Sequence, residues 1–247
     1  MTAGGKDGEY PQPHSVPESG FTLIEMAIVI AIIGLLLGGL LIPLGTQLEN
    51  RRIRDAEKQL AEIEAALFGF AITALNPRLP CPDIDGDGLE DPAAPEALIP
   101  CLQLEGGLPW ASLGLVREDP WGRPFRYAPD QAFAQAQGIP SIPNTTSGFK
   151  VQDHTETPLT DWTLASPPGP PPNGPTAILF SYGQDGLPNS ENDNNGTINA
   201  HADCTNPGIS DGLYTADVRK DGTFDDILIW LSRNTLLNRL VAAGVWP

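Results

Sequence analysis

The residues able to do chemistry sit mainly in one acidic run. Asp83-Ile84-Asp85-Gly86-Asp87-Gly88-Leu89-Glu90-Asp91 alternates carboxylates and then introduces glycine. A tight loop of this kind aims several oxygens at one hard cation, and Ca²⁺ takes oxygen ligands. The candidate ligands are Asp83, Asp85, Asp87 and Asp91. An EF-hand loop ends on a bidentate glutamate at its twelfth position, which here is Ala94, so a complete EF-hand is excluded. A weak, partial calcium loop is expected, set against a solvated Asx-rich turn. No Lys or Arg lies between Arg78 and Arg117, so the nearby sequence offers no counter-charge, and carboxylates this close repel without a cation. Cys81 and Cys101 flank the run, each beside a proline. A disulfide joining them closes a ~20-residue loop, worth roughly 3 kcal/mol in the chain-entropy picture, and requires an oxidising compartment. Three cysteines permit three single pairings, and this one would leave Cys204 over.

Catalytic constellations are missing. Gly208-Ile209-Ser210-Asp211-Gly212 fits G-x-S-x-G formally, but that elbow needs an apolar strand before it and a helix after it. Residues 204–207 and Leu213-Tyr214 do not meet that need. His154 and His201 lie in polar stretches without partner spacing and read as surface residues. The chain reads as a non-enzyme.

Charge and composition narrow the partners. The 247 residues carry Lys+Arg 14 against Asp+Glu 31, a net charge of −17, which repels phosphate backbones and argues against a nucleic-acid partner. Gly 26 and Pro 26 favour a turn-rich body over a helical bundle.

The elements that must position these groups follow from periodicity. Residues 1–20 are polar and lack apolar repeats, as in a leader. Residues 26–44 hold no charge; at ~1.5 Å per residue they extend about 28 Å, close to the hydrocarbon thickness of a bilayer. Segment 21–48 is therefore the expected transmembrane part of a helix. Its amphipathic continuation, 49–76, carries Ile53, Ala56, Leu60, Ile63, Leu67 and Phe70 at helical steps until Asn76-Pro77 stops it. Pro43 marks a kink or weak point, and Gly34 and Gly38 give a G-x-x-x-G spacing. Residues 77–247 alternate short apolar runs with turns, with strands expected at 123–128, 176–182 and 226–231 and a last helix at 233–243 capped by Ser232. Residues 167–175 are a polyproline-like connector.

Glu25 is the one charge in segment 21–48. An unpaired carboxylate in hydrocarbon costs several kcal/mol, so Glu25 either snorkels to an interface or has a partner. Gly20-Phe21-Thr22-Leu23-Ile24-Glu25, followed at once by the apolar run, closely resembles the processing site of type IV pilins and type II secretion pseudopilins. The resemblance implies an α+β, pilin-like fold, with a long N-terminal helix packed on a small antiparallel β-rich head. It implies cutting by prepilin peptidase between Gly20 and Phe21, methylation of the new Phe21 amine, and pairing of Glu25 with the α-ammonium of a neighbouring subunit. It further implies a single-pass inner-membrane protein with its head in the periplasm or outside the cell. The partners implied are other pilin or pseudopilin subunits, an inner-membrane assembly platform and membrane lipid.

The head resembles the pseudopilins more loosely, at 119–127, at 181–186 and at 225–227, segments that build a calcium loop in those relatives. Here 38 residues, 187–224, intervene. The longer head suits a minor subunit. Two features depart from the pattern: Glu18-Ser19 stands where a basic residue usually precedes the glycine, and Arg51, Arg52 and Arg54 follow the span. A positive-inside count alone would put the head in the cytoplasm; the processing motif and the cysteines point the other way. The rival reading is a membrane-anchored extracytoplasmic calcium-binding or enzymatic domain that never polymerises.

Overall fold

The structure is a computed structural model that describes residues 20–94, 100–103, 105–140, 148–160, 174–189, 192, 212–219 and 223–246, and of 37–44 the backbone alone. Residues 1–19 of the leader, Cys204, His201, residues 208–211 and nearly all of the proline-rich connector lie outside the described residues. The chain divides into two units, 1–48 and 49–247.

In the first unit the chain enters helix α1, Leu23–Thr73, which Pro43 does not end. Phe21, Leu23 and Ile24 are among its most exposed apolar side chains. Among the described residues no helix is long and apolar enough to cross a membrane. The described apolar side chains run from Leu23 only to Leu36 before the gap at 37–44, fewer than the ~20 residues a span needs.

The second unit is a small α+β head whose core starts on α1. Ala56, Leu60, Ile63, Leu67, Phe68 and Ala71 recur at helical spacing and are all buried. All but Ala56 pack with Phe125, Tyr127, Phe133, Leu179, Leu231, Leu236 and Leu240. The facing sheet has strand order β1-β2-β4-β6 and is antiparallel, from β1 (Gly106–Gly107), β2 (Arg126–Pro129), β4 (Pro175–Ser181) and β6 (Ile227–Ser232). Strand β4 is buried along its length. Its alternate residues feed two cores: Ala177 and Leu179 join the helix side, while Ile178 and Phe180 join Ala128, Phe149, Val151 and Tyr214. That second core is covered by a parallel pair, β3 (Lys150–Gln152) and β5 (Leu213–Thr215). A short helix α2, Trp110–Leu113, follows β1, and α3, Arg233–Ala242, closes the fold with Leu236 and Leu240 buried.

The three strands and last helix expected from the sequence are present within a few residues as β2, β4, β6 and α3. The two-residue β1 and the parallel pair were not expected. Gly-Gly has no side-chain pattern to read, and each strand of the pair is three residues long, too short for a period-two signal.

Candidate functional site

The start of α1 carries the first group of functional residues. Helix bonding begins at Leu23, so Thr22 occupies the N-cap position and Glu25 the third helical position. The backbone N–H and the hydroxyl of Thr22 each donate to Glu25 Oε2 at 2.8 Å, and Glu25 N–H donates to Thr22 Oγ1 at 3.3 Å. This is a reciprocal capping box, which satisfies N–H groups that an α-helix start leaves without intrahelical partners. Thr22 stands inside the motif, and its T-x-x-E spacing to Glu25 is the sequence signal for this capping role. Gly20 and Phe21 stand just before the cap and are exposed.

The second group is the acidic loop. Asp83 pairs with Gly107 in a backbone bridge that seats the loop on β1. Its buried carboxylate folds the loop by accepting from Gly86 N–H at 2.7 Å and Gly88 N–H at 2.8 Å. Gly88 has φ +87°, and a Cβ there would lie 2.4 Å from Cε2 of the Trp110 indole, so glycine is required twice over. Asp91 accepts from Ile84 N–H at 2.7 Å, and Asp85 from Asp87 N–H at 3.1 Å. One carboxylate oxygen from each of Asp83, Asp85 and Asp91 falls within 4.8 Å of the others, a set able to hold a hard cation.

Two expectations about this loop are corrected. Asp87 stands outside the converging set; its Oδ1 caps the turn by accepting from Leu89 N–H at 2.7 Å. Nor is the run without a counter-charge: Arg78 grips Glu90 through two bonds of 2.7 and 2.6 Å, and Glu90 also accepts from Cys81 N–H at 3.0 Å. Glu90 is thereby committed to Arg78 and the Cys81 backbone, and it is not among the converging oxygens. Cys81 and Cys101 are joined as a disulfide, with Cα atoms 5.4 Å apart and both residues buried.

The third group gathers the three head segments that resemble pseudopilins. Asp119 accepts from Trp121 N–H and Arg123 N–H, both at 2.9 Å, and from the Ser181 hydroxyl at 2.5 Å. The Arg123 guanidinium then donates to Gly183 O at 2.5 Å and Gln184 O at 3.1 Å. Asp225 accepts from Asp185 N–H at 2.9 Å, so the intervening 187–224 does not part the two loops. Asp226 Oδ2 accepts from Asn189 N–H and from the Asn192 side chain, both at 2.8 Å. Among the described residues, Asp226 Oδ1 is buried with no hydrogen-bond partner. Burial pushes the Asp226 carboxyl up to about 7, helped by the charges of Asp225 and Asp185 against the amide donors. Burial also raises Asp225. Among the described residues these three aspartates do not bring their oxygens together as Asp83, Asp85 and Asp91 do. The buried oxygen invites neutralisation, and a proton meets that need without several converging ligands. Asn192, from inside the insertion, had no sequence signal.

Comparison with known proteins bears on the first group. Residues 17–41 match the family described as "Prokaryotic N-terminal methylation motif", the signature of type IV pilins and pseudopilins. The motif ends within the apolar part of α1, well short of the head. No curated protein and no solved structure matches the chain.

Proposed function

We propose that this chain is a minor subunit of a type II secretion pseudopilus or a type IV pilus. The observation that carries the reading is the methylation motif at 17–41, with the Gly20–Phe21 junction directly before the capping box. Prepilin peptidase cuts after Gly20 and Phe21 is N-methylated. The 19 uncharged residues 26–44 hold the precursor in the inner membrane, with the head on the far side from the cytoplasm. A head held by a disulfide suits that compartment. Polymerisation proceeds through the apolar helix. Glu25 exchanges its capping contacts for the α-ammonium of a neighbouring subunit, a pair that sets register more than stability. The head performs no catalysis and takes Ca²⁺ at Asp83, Asp85 and Asp91, the described oxygens that converge.

The test is intact mass and filament recovery from a host with active prepilin peptidase. Mature protein is expected to begin at N-methyl-Phe21, and Glu25→Ala is expected to be processed normally yet be lost from the sheared filament fraction. A chain retaining Met1 overturns the pilin reading. Correct processing with no filament incorporation of the wild type favours the anchored, non-polymerising domain.

A further inference from the structure

The cations of the helix are segregated. Residues 50–54 hold Arg51, Arg52 and Arg54 with no carboxylate, whereas 55–64 hold Asp55, Glu57, Glu62 and Glu64 against Lys58 alone. A face built only for solvent ion pairs would interleave the two signs along its length. Here the three arginines come first, straight after the uncharged stretch 26–48 and Glu49. At ~100° per residue, Arg51 and Arg54 point away from the side that Ala56 and Leu60 bury, and Arg52 flanks it. The Arg51 and Arg52 side chains are 76% and 53% exposed. Their nearest acids, Asp55 and Glu49, stand 3.9 Å away, beyond hydrogen-bond reach, so these contacts leave the guanidinium forks open to another acceptor. Arg54 is exposed, and among the described residues no carboxylate lies within ion-pair distance of it.

We propose that Arg51, Arg52 and Arg54 form a collar that binds phospholipid phosphates on the head side of the membrane. The inference rests on the membrane-anchored reading above. Guanidinium is the side chain best matched to phosphate, because its fork donates two parallel hydrogen bonds. The collar also answers an electrostatic problem. A chain of net charge −17 is repelled by an anionic bilayer surface, and a cationic ring at the point of entry offsets that repulsion where it is strongest. An arginine cluster on the head side, at odds with a positive-inside count, thereby acquires a role that does not depend on topology.

The experiment is native mass spectrometry of the full chain purified in mild detergent, which reads processing and bound lipid together. Wild type is compared with Arg51→Gln/Arg52→Gln/Arg54→Gln and with the corresponding triple Lys variant, after addition of phosphatidylglycerol, phosphatidylcholine or inorganic phosphate. Wild type is expected to retain phosphatidylglycerol over phosphatidylcholine. The Gln variant should retain about tenfold less, and the Lys variant should fall between, having the charge without the fork. Equal lipid retention by wild type and the Gln variant overturns the proposal. Displacement of the lipid by inorganic phosphate reassigns the collar to a free anion and also overturns it. So does unchanged lipid retention coupled with lost self-association, which would give the arginines to the acidic head of a second copy. A protein that binds lipid as expected but still carries Met1 contradicts the pilin reading and leaves the collar standing.

Discussion

Two carboxylate clusters in the head invert the relation between sequence spacing and chemistry. Asp83, Asp85 and Asp91 are neighbours in the chain, and backbone N–H groups fold them into a loop whose oxygens converge. Asp185, Asp225 and Asp226 come from opposite sides of the insertion 187–224, and one of their oxygens is buried with nothing among the described residues donating to it. The first cluster concentrates negative charge at a partly open loop, which a cation relieves. The second places a carboxylate where water does not reach, which a proton relieves. Loss of solvent opposes ionisation of Asp226, whereas several oxygens aimed at one point suit a hard cation.

The largest expected effect tests the buried cluster. The folded carboxyl of Asp226, at about 7, lies above its unfolded value of 3.8, so the folded state keeps a proton that the unfolded chain releases. This contribution is complete below about pH 4, is lost as pH rises towards about 7, and stays flat above. It amounts to about 4 kcal/mol at most, at ~1.4 kcal/mol per unit. Denaturant melts of the wild-type chain in chelator should therefore lose stability from pH 5 to pH 8 relative to Asp226→Asn. Parallel curves for the two proteins would break the contrast.

The next effect concerns how the exposed loop is held. Cys81→Ser with Cys101→Ser should cost roughly 3 kcal/mol, a clear fall in melting temperature, because the unfolded chain regains the freedom of a ~20-residue loop. The Asp226-dependent pH slope should persist in that variant, since the disulfide ties only the acidic loop. A vanished slope would show that the two clusters share one cooperative support.

The smallest effect is the sharpest discriminator. Ca²⁺ at about 1 mM should stabilise the wild type by about 0.4–1.4 kcal/mol if its dissociation constant falls in the ~10⁻⁴–10⁻³ M class. Asp85→Asn with Asp91→Asn should abolish the shift in thermal melts, whereas Asp87→Asn and Asp226→Asn should each preserve it. If Asp226→Asn removes the shift instead, the roles of the two clusters are exchanged.

Much of the architecture was legible because it is written in local periodicity. The apolar positions of 49–73 recur on one helical face, β4 and β6 alternate or run apolar between turn residues, and Thr22 to Glu25 carries its own capping signal. Each of these depends on residues a few places apart, whose geometry the backbone repeat fixes. The acidic loop was legible for the same reason, down to the glycines at 86 and 88. Which of its carboxylates converge was not, because where the Asp87 side chain points depends on the φ and ψ of the folded loop.

By itself, then, the sequence determined the helix, its uncharged run, the methylation motif and the positions of the principal strands along the chain. The tertiary structure decided which charges meet. Arg78 reaches Glu90 across twelve positions, Arg219 and Trp121 both reach Glu49, and Asn192 enters from an insertion to hold Asp226. No spacing rule encodes such pairs, since they exist only after a hydrophobic core has brought distant segments together. The raised proton affinity of Asp226 follows from the same event, because desolvation is a property of the packed environment and not of the residue.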